Sequence, residues 1–104
     1  MSVNKAINPP SGSIAVMFVT RLKPDAHNNG YEQTSERMMD LVKDQPGFLG
    51  VESARGEDGF GITISYWKDD GSVKAWRENP EHAIAMQKAN GWYDVYTTVR
   101  TVVR

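Results

Sequence analysis

The segment YWKDDGSVKAWRENPEH, residues 66–82, concentrates the side chains with chemical potential. It holds Trp67 and Trp76, nine residues apart, together with Tyr66 and His82. Trp67 is expected to end a strand and Trp76 to lie on the helix that follows. Both then approach the same end of a sheet–helix layer, and Trp92, beyond a second helix, is a third ring within reach. Aromatic rings around one imidazole make a flat, largely apolar pocket with a single titratable group. Such a pocket suits a planar aromatic or polyketide-like ligand. The plainer expectation is that the tryptophans are core and that His82 is satisfied by a local hydrogen bond. An enclosed space lined by both Trp76 and His82 would separate the two.

Residue types argue against much other chemistry. The 104 residues include no cysteine, which excludes disulfides, thiolate metal sites, iron–sulfur clusters and a cysteine nucleophile. The two histidines, His27 and His82, form no H-x-x-x-H or H-E-x-x-H pair, so no protein-only transition-metal site is expected. Neither a G-x-S-x-G elbow nor a phosphate-binding G-x-x-x-x-G-K-[ST] loop is present. Asp69-Asp70 precedes a helix, and adjacent side chains point apart, so capping is expected there. Glu57-Asp58 reads as a solvated turn, and His27 sits in a polar loop.

Composition sets the frame. A net charge of −1 gives no electrostatic reason to bind nucleic acid or an anionic membrane. The longest apolar run, Ile14 to Val19, is six residues, against roughly 20 for a membrane span. The opening MSVNKAINPPSGS lacks an apolar signal core. A soluble, cytoplasmic single domain follows as the expectation. Only 39% of residues are apolar, yet 10% are aromatic, which points to a small core plus a concentrated aromatic pocket or surface.

The elements that must position these residues follow from periodicity. Residues 1–13 read as a flexible arm, with a breaker cluster from Asn8 to Ser13, and residues 14–104 as the domain. Ile14 to Thr20 is a strand with apolar residues at both parities, so both its faces should be covered. Helices cover one face of a sheet in so small a domain, so a second subunit is expected on the other. Tyr31, Thr34, Met38, Leu41 and Val42 give one helical face between Tyr31 and Gln45, stopped by Pro46-Gly47. Phe48 to Ala54 and Phe60 to Lys68 are strands joined by a hairpin loop. On the latter, Phe60, Ile62, Ile64 and Tyr66 share one face. Gly61, Thr63, Ser65 and Trp67 share the other, where small residues leave space. A short helix through Trp76 or Arg77 follows, then a second that Asn79-Pro80 opens and that runs to about Lys88. Tyr93 to Val103 alternates, with Tyr93, Val95 and Val99 on one face and Tyr96, Thr98 and Arg100 on the other. The order β-α-β-β-α-β predicts a ferredoxin-like α+β sandwich.

The run YWKDDGSVKAWRENPEH, the ending NGWYDVYTTVRTVVR and the strand entry QPGFLGVE resemble the antibiotic biosynthesis monooxygenase family over roughly residues 14–104. The resemblance implies a dimeric α+β barrel, with the open sheet faces packed together. Some members of that family oxidise polycyclic aromatics with O₂ and without metal or flavin; others degrade haem. The resemblance thus implies a cofactor-independent monooxygenase acting on a small aromatic or polyketide-like compound. Such an enzyme needs a base, a donor toward the developing oxyanion and a dry cavity. His82 is the candidate base or proton shuttle. Trp76 and Tyr66 are candidate walls or donors, Trp67 a further wall, and Thr20 a hydroxyl. The haem-degrading branch uses an asparagine near the end of the first strand, a tryptophan after the third and a histidine on the last helix. Trp76 matches the tryptophan, but Thr20 and Met86 stand at the other two positions.

Two other function classes fit parts of the chain. A non-catalytic dimeric module of the same fold would bind a small ligand in the same pocket. RNA-recognition domains share the element order, and Met17 to Leu22 and Asp58 to Ile62 resemble their strand motifs. There, however, Asp58 replaces a basic residue, and Ile62 and Ser65 replace stacking aromatics.

Overall fold

The computed structural model describes residues 8–104. The chain runs β1 (Ile14–Leu22), α1 (Tyr31–Lys43), β2 (Phe48–Arg55), β3 (Phe60–Trp67), α2 (Asp70–Glu78), α3 (Pro80–Lys88) and β4 (Tyr93–Val102). Short 3₁₀ turns lie at Ala26–Asn28 and Ala89–Gly91. The four strands form one antiparallel sheet in the order β2-β3-β1-β4, the ferredoxin-like α+β arrangement expected from the element order. No helix among the described residues is long and apolar enough to cross a membrane.

Local chemistry explains most boundaries. Asp69 caps α2 by accepting the Ser72 backbone N–H at 2.8 Å, which satisfies one of the helix's free N-terminal donors. α1 stops at Lys43, before Pro46: the Asp44 and Gln45 N–H groups turn back three residues, to the Leu41 and Val42 carbonyls. Gly47 then takes φ +80°, and a Cβ there would lie 1.9 Å from Ser72 Oγ, so the turn into β2 passes against the start of α2 as only glycine allows. Of the expected arm, residues 1–7 lie outside the described residues. Gly12 and Ser13 pair with Val103 through two 2.8 Å backbone bonds, which fastens that stretch to the last strand.

One expectation about β4 is corrected. Strict alternation puts Tyr93 with Val95, but the β1–β4 register shifts between Arg21 and Leu22, so that Leu22 faces Tyr93 while Arg21 faces Val95. The extra residue is a bulge. It moves Tyr93 to the face that carries Tyr96, Thr98 and Arg100.

All three helices lie on one face of the sheet. The other face is open, with Met17 between Ile64 and Val99 and Val19 between Ile62 and Thr97. Phe60, Ile62 and Val99 keep 42%, 43% and 42% of their surface exposed there. The core on the helix side is divided. One cluster is Ile14, Val42 and Trp67, with Val16, Phe48, Val73 and Trp76 packed on it. The second, at the other end of the sheet, is Leu22, Ala26 and Trp92, with Tyr31 and Tyr93.

Candidate functional site

Between the two clusters lies a cavity of about 480 Å³. Its floor is the sheet, where Ser53, Thr63, Ser65 and Thr98 are too small to fill the layer; Met38, Met39 and Met86 face it from the helices. The space expected above Thr63 and Ser65 is therefore present. Ser53 Oγ and Thr63 Oγ1 satisfy each other at 2.9 Å, which leaves that part of the floor without an unpaired hydroxyl.

Trp76 and His82 line this same cavity, as do Trp67 and Met86. Three rings climb from sheet to helix. Trp67, fully buried, stacks on Trp76 at 6.2 Å between centroids, and Trp76 stacks on His82 at 4.1 Å with planes 18° apart. The Trp67 indole N–H donates to Ser65 Oγ at 3.0 Å, so the buried ring carries no orphan donor.

The break between α2 and α3 sets the imidazole. In an unbroken helix the Trp76 carbonyl would accept from the N–H four residues on, but that residue is Pro80, which has none. The carbonyl instead accepts the Asn79 backbone N–H and, at 3.1 Å, His82 Nδ1–H. The Asn79 side chain accepts the Glu81 and His82 backbone N–H groups at 3.0 and 3.2 Å, fixing the first turn of α3. A carbonyl cannot donate, so Nδ1 carries the proton and Nε2 is the basic atom of the neutral ring. Burial pushes the His82 pKa below the ordinary histidine value, and the bond to Trp76 offsets part of that. At neutral pH the ring is an uncharged base.

The other end of the cavity holds Phe18, Tyr31, Trp92, Tyr93 and Tyr96, packed edge to face, with Arg55 beside them. Burial, then the neighbouring Tyr31, raises the Tyr93 phenol far above its usual range, so it stays a neutral donor. Trp92 lines the cavity from this end, with its indole N–H on the Asn29 carbonyl at 3.0 Å.

Two expected site residues lie elsewhere. Tyr66 follows the alternation of β3 to the open face, and it is not among the cavity's lining residues; this corrects its expected role as a wall. Thr20 is fully buried and does not line the cavity either. Its hydroxyl accepts Arg55 Nη2 at 2.9 Å, so it acts on the site only through Arg55. Arg55, which the sequence places in the hairpin loop, is the last residue of β2, and the spacing Val51, Ser53, Arg55 is the signal that puts it on the cavity face. Tyr31, Tyr93 and Tyr96 are further site residues that the sequence pattern does not mark, since they come together from α1 and β4.

Among the described residues no group of three or more His, Cys, Asp or Glu side chains is placed to hold a metal ion. At the positions where the haem-degrading branch has its amide and imidazole, Thr20 is sealed under Arg55, and the Met86 thioether accepts Tyr96 O–H at 3.7 Å. Neither residue fits that branch's pattern.

Known proteins agree with this architecture. Residues 13–88 match the family model for antibiotic biosynthesis monooxygenases. An uncharacterised protein of Bacillus subtilis, YqjZ, is 49% identical over 95 residues, spanning 90% of this chain and 80% of that protein. In fold, the chain is similar to SnoaB, a cofactor-independent oxygenase from Streptomyces nogalater, with TM-score 0.76, 14% identity and 90% and 95% of the two chains covered. It is similar also to a dimeric ferredoxin-like protein of unknown function from Bacteroides fragilis, with TM-score 0.68, 16% identity and 88% and 96% covered. The family match extends over most of the sheet and all three helices that enclose the cavity, and the chain belongs to the antibiotic biosynthesis monooxygenase family.

Proposed function

We propose that the cavity is the active site of a cofactor-independent monooxygenase that oxidises a small aromatic or polyketide-like phenol with O₂, in a cytoplasmic homodimer. The observation that carries this reading is His82. Its Nδ1–H is held by the Trp76 carbonyl, its ring is stacked on Trp76, and its uncharged, basic Nε2 belongs to a side chain lining an aromatic cavity. Nε2 takes the phenol proton, and the anion spreads onto ring carbon. That carbon bonds to O₂, and the resulting peroxide takes the proton back from His82. Loss of the ring C–H proton with hydroxide then releases water and leaves a quinone. Four electrons pass from substrate to O₂, one oxygen stays on carbon, and the other leaves as water. Similarity of fold to a cofactor-independent oxygenase supports the same reading.

The test is O₂ uptake on mixing the protein with a panel of hydroxylated aromatics, run beside anaerobic controls. Consumption of about one O₂ per product is expected. Binding without O₂-dependent turnover across the panel would overturn the enzyme reading in favour of a non-catalytic ligand-binding module.

The open face of the sheet supports the homodimer. Met17, Val19, Ile62, Ile64 and Val99 form a contiguous apolar patch with no helix over it. A dimeric mass by light scattering at micromolar concentration is expected, and a monomeric mass would count against the pairing.

A further inference from the structure

We infer that the Arg55 end of the cavity is an anion subsite, which takes the carboxylate of an aromatic acid whose rings fill the apolar space. The inference rests on the cavity being a ligand site, as proposed above, but not on any chemistry occurring there.

Charge is the first argument. The ionisable lining residues other than tyrosine are Arg55, Arg77, Arg100 and His82, with no carboxylate among them, although the chain as a whole carries −1. Arg100 is already neutralised by Asp70 at 2.6 Å, and Arg77 is exposed. Arg55 is half-buried and makes no ion pair with any described residue. A guanidinium is always charged, and partial burial without a counter-ion is costly.

Construction is the second. Arg55 Nη1 donates to the Gly59 carbonyl at 2.5 Å and Nη2 to Thr20 Oγ1 at 2.9 Å, both neutral acceptors. The guanidinium lies 5.9 Å from the centre of the Tyr93 ring. Beneath it, Gly61 supplies the room: a Cβ there would sit 2.9 Å from Arg55 Cζ. Two of five N–H groups are thus spent on orientation, and three remain for a ligand. Nε has no partner among the described residues and is not sealed from solvent, so it opens onto accessible space. Arg55 also lines a second groove along α1, which shares Tyr31, Ser35 and Met39 with the cavity and carries Glu32, Glu36 and Asp40, none of them within ion-pair distance of Arg55. The cation therefore stands where a carboxylate can be met at the edge of the apolar space. A planar guanidinium fork matches carboxylate geometry, and bonds of this charged kind are roughly twice as strong as neutral ones.

The test compares 2-naphthoate with its neutral counterpart 2-naphthamide by tryptophan-fluorescence titration and calorimetry at neutral pH. The wild-type protein is expected to bind the acid about tenfold tighter than the amide. In Arg55→Gln that ratio should fall to about one with amide affinity kept, while Arg55→Lys keeps part of the preference. Equal binding of acid and amide by the wild-type protein overturns the subsite and leaves the cavity reading standing. So does an equal loss of both ligands in Arg55→Gln with a lowered melting temperature, which marks the arginine as a brace for the hairpin. Failure of both ligands to bind the wild-type protein overturns the cavity reading and the subsite together. Where Arg55→Gln does not fold, Arg55→Lys carries the comparison: an acid preference equal to that of the wild-type protein overturns the forked arginine site, and a reduced preference supports it.

Discussion

His82→Ala is expected to lower O₂-dependent kcat/KM by about 10²- to 10⁴-fold, the range that a positioned general base contributes. Trp76 and Trp67 still wall the cavity in this variant, so affinity for a neutral aromatic should change far less than turnover. Unchanged turnover would remove His82 from the chemistry. The pH profile of the native protein gives an independent check. A base must be deprotonated to act, and burial holds the His82 pKa below its ordinary 6.5. The acid limb of kcat/KM should therefore fall below that value, with a plateau through neutral pH. Stability carries the same signature with a definite sign. The unfolded chain binds the proton more readily than the folded one, so the contribution is complete above about 6.5 and is lost as pH falls through the lower folded value.

Trp67→Ala should cost about 3–5 kcal/mol, the usual penalty for emptying a large buried aromatic site. Trp67 is the largest fully buried side chain, touches Phe48 edge to face at 5.4 Å, and is the base of the ring stack that carries Trp76 and His82. A domain of this size is commonly stable by only about 5–15 kcal/mol, so the variant should populate unfolded chain at moderate urea. Urea denaturation followed by circular dichroism measures it. A loss below about 1 kcal/mol would mean that the smaller residues around it, not Trp67, hold that end of the core. The two predictions separate chemistry from scaffold, because His82→Ala empties no comparable volume.

The fold was legible because its signals are local and agree with one another. Pro46-Gly47, Asn79-Pro80 and the alternation of β3 each force one outcome, and together they leave one element order. Half of the site was legible for the same reason. The spacing from Trp76 through Pro80 to His82 lies within a single helix–break–helix segment, so sequence proximity becomes contact. The opposite end of the cavity is assembled from Tyr31, Arg55 and Tyr93, on three elements far apart in the chain. Its geometry depends on a bulge between β1 and β4, which no periodicity reveals, since one added residue reverses the facing of Tyr93. Tyr66 fails in a different way. It stands beside Trp67 in sequence, but adjacent strand residues point to opposite faces, and proximity along the chain there means separation in space.

The division of the hydrophobic core has a thermodynamic consequence. Two small clusters joined chiefly through the sheet leave unsatisfied packing between them, so a bound ring system would complete the interior rather than merely visit it. Occupancy would then be written into the melting curve: a ligand at one hundred times its Kd adds about 2.7 kcal/mol to the folded state. A ligand of the cavity would thus show itself as a rise in melting temperature, whether or not it is turned over.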